Sequence, residues 1–310
     1  MNKVIIILGP TGVGKTEASI LFAKSIDAEI ISADSMQIYK FMNIGTAKPT
    51  PEQLKKVKHH MIDIVNPWES FSTGRYISMV KEIIKDIHNR GKIPVVTGGT
   101  GLYIKAMTRG IFTGPHADWE LRERLISIEK EKEGTLYNYL RKLDPETSSK
   151  ISPNDLRRII RALEVCIKTN TPISELQKSL TIPLPYEFIK IGLSRERREL
   201  YKLIEQRVDL MIEKGLVEEV KNILKMKPDK TPLQAIGYKE IIKYLNNEIS
   251  LPEAIKLIKR NTKRYAKRQF TWFKKETDIL WIDITGIYDS NVITSLIYNL
   301  YIRLIKDSEK

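Results

Sequence analysis

The sequence predicts an α/β fold: a parallel sheet flanked by helices, interrupted by a helical insertion domain. Three observations carry that prediction. Short, β-branched apolar runs alternate with helical stretches over the first hundred or so residues, as buried parallel strands and their crossover helices do. A glycine-rich turn, GPTGVGKT at 9–16, follows the first apolar run and opens into EASILFAKSI, which reads as a helix. From about 115 to 185 the strand-like runs stop and a charged helical pattern replaces them. The expected organisation is a core of residues 1–114 plus 186–310 and an insertion of residues 115–185.

The elements follow in order. VIIIL at 4–8 is the first strand, AEIISAD at 28–34 the second, ending in an acid, and HHMIDIV at 59–65 a third. TGRYISMVKEIIKDIHNRG is a helix, and IPVVTGG at 93–99 is another buried strand. In the insertion, LRERLISIEKEKEG, TLYNYLRKLD and LRRIIRALEVCIKTN read as helices, and TPISELQKSLTIPLP as a proline-punctuated exit loop. YEFIKIGLS at 186–194 resumes the sheet. Helices at RERRELYKLIEQRVDLMIEKG, at LVEEVKNILK and near 252–274 precede a late strand, LWIDI at 280–284, and a closing helix.

Of the 310 residues, 42% are hydrophobic and 29% charged, which is ordinary for a soluble globular protein, whereas a net charge of +14 favours a polyanionic partner. The single cysteine, Cys166, lies in the apolar run ALEVCI and reads as a buried thiol. VIIIL is too short to span a bilayer and no cationic leader precedes it, so a cytoplasmic, soluble protein is expected.

Gly9, Pro10, Thr11, Gly12, Val13, Gly14, Lys15 and Thr16 fit the phosphate-loop (P-loop) pattern G-x-x-x-x-G-K-[ST]. In such a loop, backbone N–H groups converge on phosphate oxygens at a helix N-terminus. Lys15 supplies a point charge, and Thr16 offers a hydroxyl to Mg²⁺. The pattern specifies a diphosphate-sized anion and leaves its owner open.

Asp34 stands just past the second strand, at the end of the sheet that faces the ligand crevice. It could bind Mg²⁺, act as a general base or cap the turn at Ser35 and Met36. VVTGGTGLYIKAM at 95–107 repeats the design of strand, glycine turn and helix. Thr100 there either presents its hydroxyl to a ligand or caps the helix. Two such turns on one sheet suggest two ligands meeting over one crevice. Arg207 suits a departing pyrophosphate, and equally a salt bridge with Glu205 or Glu213.

From Lys256 to Lys275 there are nine basic residues and no acids. Ile258, Tyr265, Gln269 and Trp272 fall near one helical face, and Arg264, Lys267 and Arg268 around the other. A basic face beside aromatics suits RNA, with Trp272 and Phe273 assigned to core packing. Arg157, Arg158 and Arg161 form a smaller patch, for which pairing with Asp155 and Glu164 is the alternative. His59 and His60 lack ligand spacing, and no zinc site is assigned.

GPTGVGKT, DSMQIYK, GGTGLYIKA, NDLRRIIRALEV, QAIGYKE and KRYAKRQFTWFKK occur in an order that resembles the tRNA dimethylallyltransferases, the tRNA isopentenyltransferases of bacterial type. The resemblance runs from the first strand to about residue 275. It implies transfer of a dimethylallyl group from dimethylallyl pyrophosphate to the exocyclic amine of the adenosine 3′ of the anticodon. It implies that Gly12 to Thr16 cradle the pyrophosphate with Mg²⁺ and Arg207, that Asp34 is the base, and that Thr100 fixes the adenosine or the base. Asp34, Ser35, Met36 and Gln37 match the segment for the target nucleotides, and Arg158 and Arg161 the tRNA-contacting helix, where Arg157 replaces the usual glutamine. Arg122 joins the tRNA set with Arg264, Lys267 and Arg268, and a monomer acting on the tRNA anticodon stem-loop, without a membrane, is expected. Three rivals remain: an adenylate isopentenyltransferase using free AMP or ATP, a P-loop nucleotide kinase with Asp34 on the metal, and a nucleotide-gated RNA-binding protein. The basic helix favours RNA over free nucleotide.

Overall fold

The computed structural model describes residues 3–308, the last two by their backbone alone. Six parallel strands form the sheet: β1 (Lys3–Leu8), β2 (Ala28–Ala33), β3 (His59–His60), β4 (Ile93–Gly98), β5 (Glu187–Ser194) and β6 (Ile279–Asp283). Their order is β3-β2-β4-β1-β5-β6. Val4 through Leu8 are fully buried, which explains why β1 reads as an unbroken apolar run: a parallel strand with helices on both faces has no wet side. The register aligns Leu8 with Gly98 and Gly98 with Ala33, so β1, β4 and β2 end at one level.

The expected third strand is cut to two residues. Met61 and Asp63 take left-handed backbone angles, φ +63° and +54°, which end the strand, and only Val65 returns to bridge Tyr39. The segment is held by side chains instead: buried Lys48 donates to the Tyr39 carbonyl and to Asp63.

The chain divides into two compact units, Met1–Lys105 with Pro185–Lys310, and Ala106–Leu184. The second unit therefore begins inside the helix Gly101–Thr108, ahead of the expected boundary at residue 115. Its helices are Trp119–Glu131, Thr135–Leu143, Pro145–Lys150, Leu156–Thr169 and Ile173–Leu180. The last of these replaces part of the expected exit loop. Pro172 precedes its first turn, where a missing N–H costs nothing, and Ile173 is buried in the unit's own core. That core is built on Leu125, Leu136, Leu140, Ile159 and Leu163.

In the first unit, one cluster packs along the sheet and another gathers Ile38, Tyr39, Met42, Val208, Tyr238 and Ile258. The QAIGYKE stretch sits in the second. The Tyr238 ring lies so close to Gly45 that a Cβ there would be 2.4 Å from it. Glu219 accepts hydrogen bonds from the N–H groups of Asn43, Ile44 and Gly45 at 2.8, 2.7 and 2.9 Å, and from the Tyr238 hydroxyl at 2.6 Å. One carboxylate thus pins the loop that comes after Gln37. Among the described residues no helix is long and apolar enough to cross a membrane.

Glu219→Ala leaves those donors without their acceptor, and the expected loss is about 3 kcal/mol in urea unfolding. A shift under about 0.5 kcal/mol would show that water replaces the carboxylate at no cost.

Candidate active site

The site is built on the common end of β1, β2 and β4, and its residues belong to the first unit. Residues 9–14 leave β1 and turn into the helix Lys15–Ser25, with Gly14 at the N-cap. Gly12 and Gly14 have φ of +81° and +111°, angles a side chain would strain. No side chain caps the helix, so its first N–H groups stay available to an anion. Lys15 Nζ donates to the carbonyls of Gly9 and Pro10, both at 2.8 Å. Burial, helped by Arg207 and opposed by Asp34, lowers its ammonium to about 7.

Arg207, on the helix Arg197–Glu213, reaches the loop: its Nη1 donates to Thr11 Oγ1 at 3.4 Å. Among the described residues Arg207 forms no salt bridge with Glu205 or Glu213, and Glu205 pairs with Lys263 instead. Burial lowers the Arg207 guanidinium and Asp34 counters it. Two cations near one loop, only partly compensated by one carboxylate, make a site that gains from binding polyanions.

Asp34 Oδ1 accepts from the N–H of Met36 at 2.9 Å and of Gln37 at 3.4 Å. Among the described residues no hydrogen bond reaches Oδ2, so the turn-capping role uses one oxygen and leaves the other. Thr100 stands where the chain leaves β4, and its N–H donates to the Ala33 carbonyl at 3.0 Å. Its Oγ1 accepts from the Ser35 N–H at 3.0 Å, which ties the second glycine turn to the segment after β2. Gln37 is occupied with structure: its amide holds Ser32 Oγ and the carbonyls of Thr46 and Ala47. A cavity of about 390 Å³ joins the phosphate loop, Asp34 and Gly98–Gly99, with Lys15, Thr16, Arg207, Tyr265 and Gln269 also in its wall, while Ser35, Met36 and Thr100 stand outside its lining.

Sequence reasoning misses Tyr265 and Gln269 as site residues. Both sit on the apolar face of the helix Leu251–Phe273, and a polar residue on a buried stripe must have a partner, which is the available signal. Burial raises the Tyr265 hydroxyl well above its ordinary value, by more than the Thr100 and Gln269 side chains lower it, keeping its proton in place.

The basic residues divide. Arg264, Lys267 and Arg268 are exposed, with Arg268 over the Tyr265 ring at 5.7 Å. Phe273 is buried as expected, but Trp272 is 38% exposed. Its ring lies against Gly101, where a Cβ would stand 2.7 Å away, so it covers the second glycine turn instead of entering the core. In the second unit, Arg157 and Arg158 are exposed, and Arg158 pairs with Asp155 at 3.2 Å, the alternative expected for this patch. Arg122 and Arg161 instead serve Glu164, which is 0% exposed and accepts from Arg122 at 2.8 and 2.9 Å, from Arg161 at 2.6 Å and from the Asp118 N–H at 2.7 Å. Burial would raise that carboxyl, but these hydrogen bonds outweigh it and hold it below its ordinary value.

A family model described as IPP transferase matches residues 37–276. The chain belongs to the IPP transferase family. It is 60% identical over 305 residues to the tRNA dimethylallyltransferase of Thermodesulfovibrio yellowstonii, covering 96% of this chain and 97% of that one. The crystal structure of the full-length tRNA isopentenylpyrophosphate transferase of Bacillus halodurans shares 39% identity, with a TM-score of 0.74 over 100% of this chain and 99% of that one. A eukaryotic dimethylallyltransferase acting on tRNA shares 32% identity, with a TM-score of 0.80 over 98% of this chain and 80% of that one. In this IPP transferase family member, the matched region takes in Asp34's neighbours from Gln37 onward, Thr100, Arg207 and the basic helix.

The buried lysine makes a signed prediction. An unfolded lysine holds its proton up to about pH 10.4, whereas Lys15 loses it near 7. Between those values the unfolded chain binds the extra proton, so this group's penalty is full below pH 7 and fades as pH rises toward 10. Lys15→Met should therefore gain stability relative to the parent at pH 6.5 and lose that gain by pH 9.5 or so, read as melting temperatures of the free proteins. A difference independent of pH would mean that Lys15 is solvated and not desolvated.

Proposed function

We propose that this chain transfers the dimethylallyl group of dimethylallyl pyrophosphate to the exocyclic amine of the adenosine 3′ of the anticodon in tRNA, releasing pyrophosphate. The observation that carries the reading is the meeting of two glycine turns over one sheet edge, with Asp34 in the wall of the same cavity, in a chain of the IPP transferase family. A phosphohydrolase needs one such turn; a transfer between two bulky substrates uses two.

The chemistry is set by the groups present. An allylic carbon ionises readily, while an adenine amine is a poor nucleophile. Stabilising the departing pyrophosphate therefore does most of the work, through loop N–H groups, Lys15 and Arg207. The carbon–oxygen bond breaks with its electron pair going to pyrophosphate, and the amine nitrogen forms the new bond. The free oxygen of Asp34 takes the amine proton. Thr100 holds the Ser35 backbone, and with it the segment Asp34–Gln37, against the acceptor. A base in an anticodon loop must leave its stack to arrive, at a cost of a few kcal/mol, which binding of the phosphate backbone by Arg264, Lys267 and Arg268, with Arg157 and Arg158 of the second unit, offsets.

Mg²⁺ fits the donors present, since the Thr16 hydroxyl lines the cavity and this ion takes few protein oxygens, completing its shell with phosphate and water. When bound it would neutralise charge on the pyrophosphate. A monomeric, cytoplasmic enzyme is part of the same proposal.

Incubation with Mg²⁺, radiolabelled dimethylallyl pyrophosphate and either unmodified tRNA or AMP should place label in tRNA alone. Label in AMP alone, or phosphoryl transfer from ATP without prenyl transfer, would overturn the reading. Asp34→Ala is expected to lower kcat by about 100-fold or more, and parent activity would remove Asp34 as the base. Replacing Arg264, Lys267 or Arg268 by Ala should each reduce the slope of log tRNA affinity against log salt by about 1. An unchanged slope would take that residue off the RNA surface.

A further inference from the structure

Prenyl transfer requires the donor's carbon and the acceptor's nitrogen to be held at one separation. The phosphate loop and the second glycine turn begin as neighbours, because β1 and β4 pair as far as Leu8 and Gly98. Beyond that pair the ladder stops. Among the described residues no backbone hydrogen bond joins residues 9–14 to residues 99–101.

One side chain continues the ladder. Gln269, only 5% exposed, accepts the Thr11 N–H on its Oε1 at 2.8 Å and donates its Nε2 to the Gly99 carbonyl at 2.8 Å. The orientation of the amide is dictated, since a backbone N–H faces one end and a carbonyl the other. The fit is close: a Cβ on Gly99 would lie 2.2 Å from Gln269 Nε2. Each partner leads to a group with a role in transfer. Thr11 carries the hydroxyl that Arg207 holds, and Gly99 precedes Thr100, whose hydroxyl holds the Ser35 N–H.

We infer that Gln269 is a positioning residue: its carboxamide clamps the phosphate loop to the second glycine turn and so sets the distance between leaving group and acceptor. This rests on the prenyl-transfer reading. A displacement of about 1 Å in such a site costs on the order of 100-fold in rate, so a clamp of this kind belongs in kcat. Among the described residues the hydrogen bonds of the Gln269 amide go to Thr11 and Gly99 and not to Arg264 or Lys267, so its loss should leave tRNA binding alone.

Two variants separate positioning from simple support of the fold. Gln269→Met keeps the bulk and loses both bonds. Gln269→Glu accepts from Thr11, but an ionised carboxylate opposes the Gly99 carbonyl, and only its protonated form donates there. At a temperature where both are folded by their melting curves, kcat should fall by about 100-fold in Gln269→Met with KM for tRNA unchanged within about twofold. For Gln269→Glu, the ratio of variant to parent kcat should rise at least about tenfold as pH is lowered from 8 to 6, as protonation restores the second bond. Parent-like kcat in both, or a ratio flat with pH, overturns the inference. Affinity for inorganic pyrophosphate, measured without any prenyl donor or RNA, provides an arm independent of the reaction. Weakening by several-fold in the uncharged Gln269→Met supports the clamp even if the parent transfers no prenyl group, and parent-like affinity opposes it.

Discussion

Parallel pairing of β1, β4 and β2 to a common level is the constraint on which the site depends. With Leu8, Gly98 and Ala33 in register, the three chains leave the sheet together, and the segments they lead into must meet over one edge. The phosphate loop comes after β1, Asp34 after β2, and Thr100 after β4. No single segment could gather an anion site, a carboxylate and a hydroxyl so closely. The tight crossing of the turns also explains the glycines, because Gln269 and Trp272 press on positions where any Cβ would collide.

The charges at this edge are arranged against the stability of the free protein. Lys15 is pushed down to about 7 by burial and by Arg207, and Arg207 is itself lowered by burial. A polyanion relieves both penalties at once, so part of its binding energy is strain already present in the fold. The second unit uses arginine differently. Arg122 and Arg161 saturate a buried carboxylate, so their charge is spent on folding, whereas Arg157 and Arg158 are exposed, the latter paired with Asp155 at the surface. The helix Leu251–Phe273 joins the two themes, with Tyr265 and Gln269 facing the cavity and Arg264, Lys267 and Arg268 facing out.

Strands β1, β2, β4 and β5 are legible in the sequence because a parallel strand buried on both faces is an apolar run, and they read within a residue or two of their observed ends, as does the more exposed edge strand β6. HHMIDIV misleads because its apolar pattern says nothing of the left-handed angles at Met61 and Asp63. Ile173–Leu180 is hidden by its flanking prolines, which mark a helix start as readily as a loop. At the site, the phosphate loop and Asp34 can be found from spacing and strand ends, which are local signals. Arg207 on Thr11 and Gln269 between two turns are long-range contacts, with partners 196 and 258 residues apart, and no local pattern encodes them. Trp272 reads as a core residue from its type, and its exposure is explained by the glycine turn beneath it.

The most direct measurement is a crystal structure of the protein with a non-hydrolysable thio analogue of dimethylallyl pyrophosphate and an unmodified anticodon stem-loop. The account predicts the diphosphate on the N–H groups of Gly12 to Thr16, with the adenosine amine within hydrogen-bond reach of Asp34, about 2.6–3.2 Å. A diphosphate bound elsewhere, or an adenosine on the far side of Thr100 from Asp34, would contradict it.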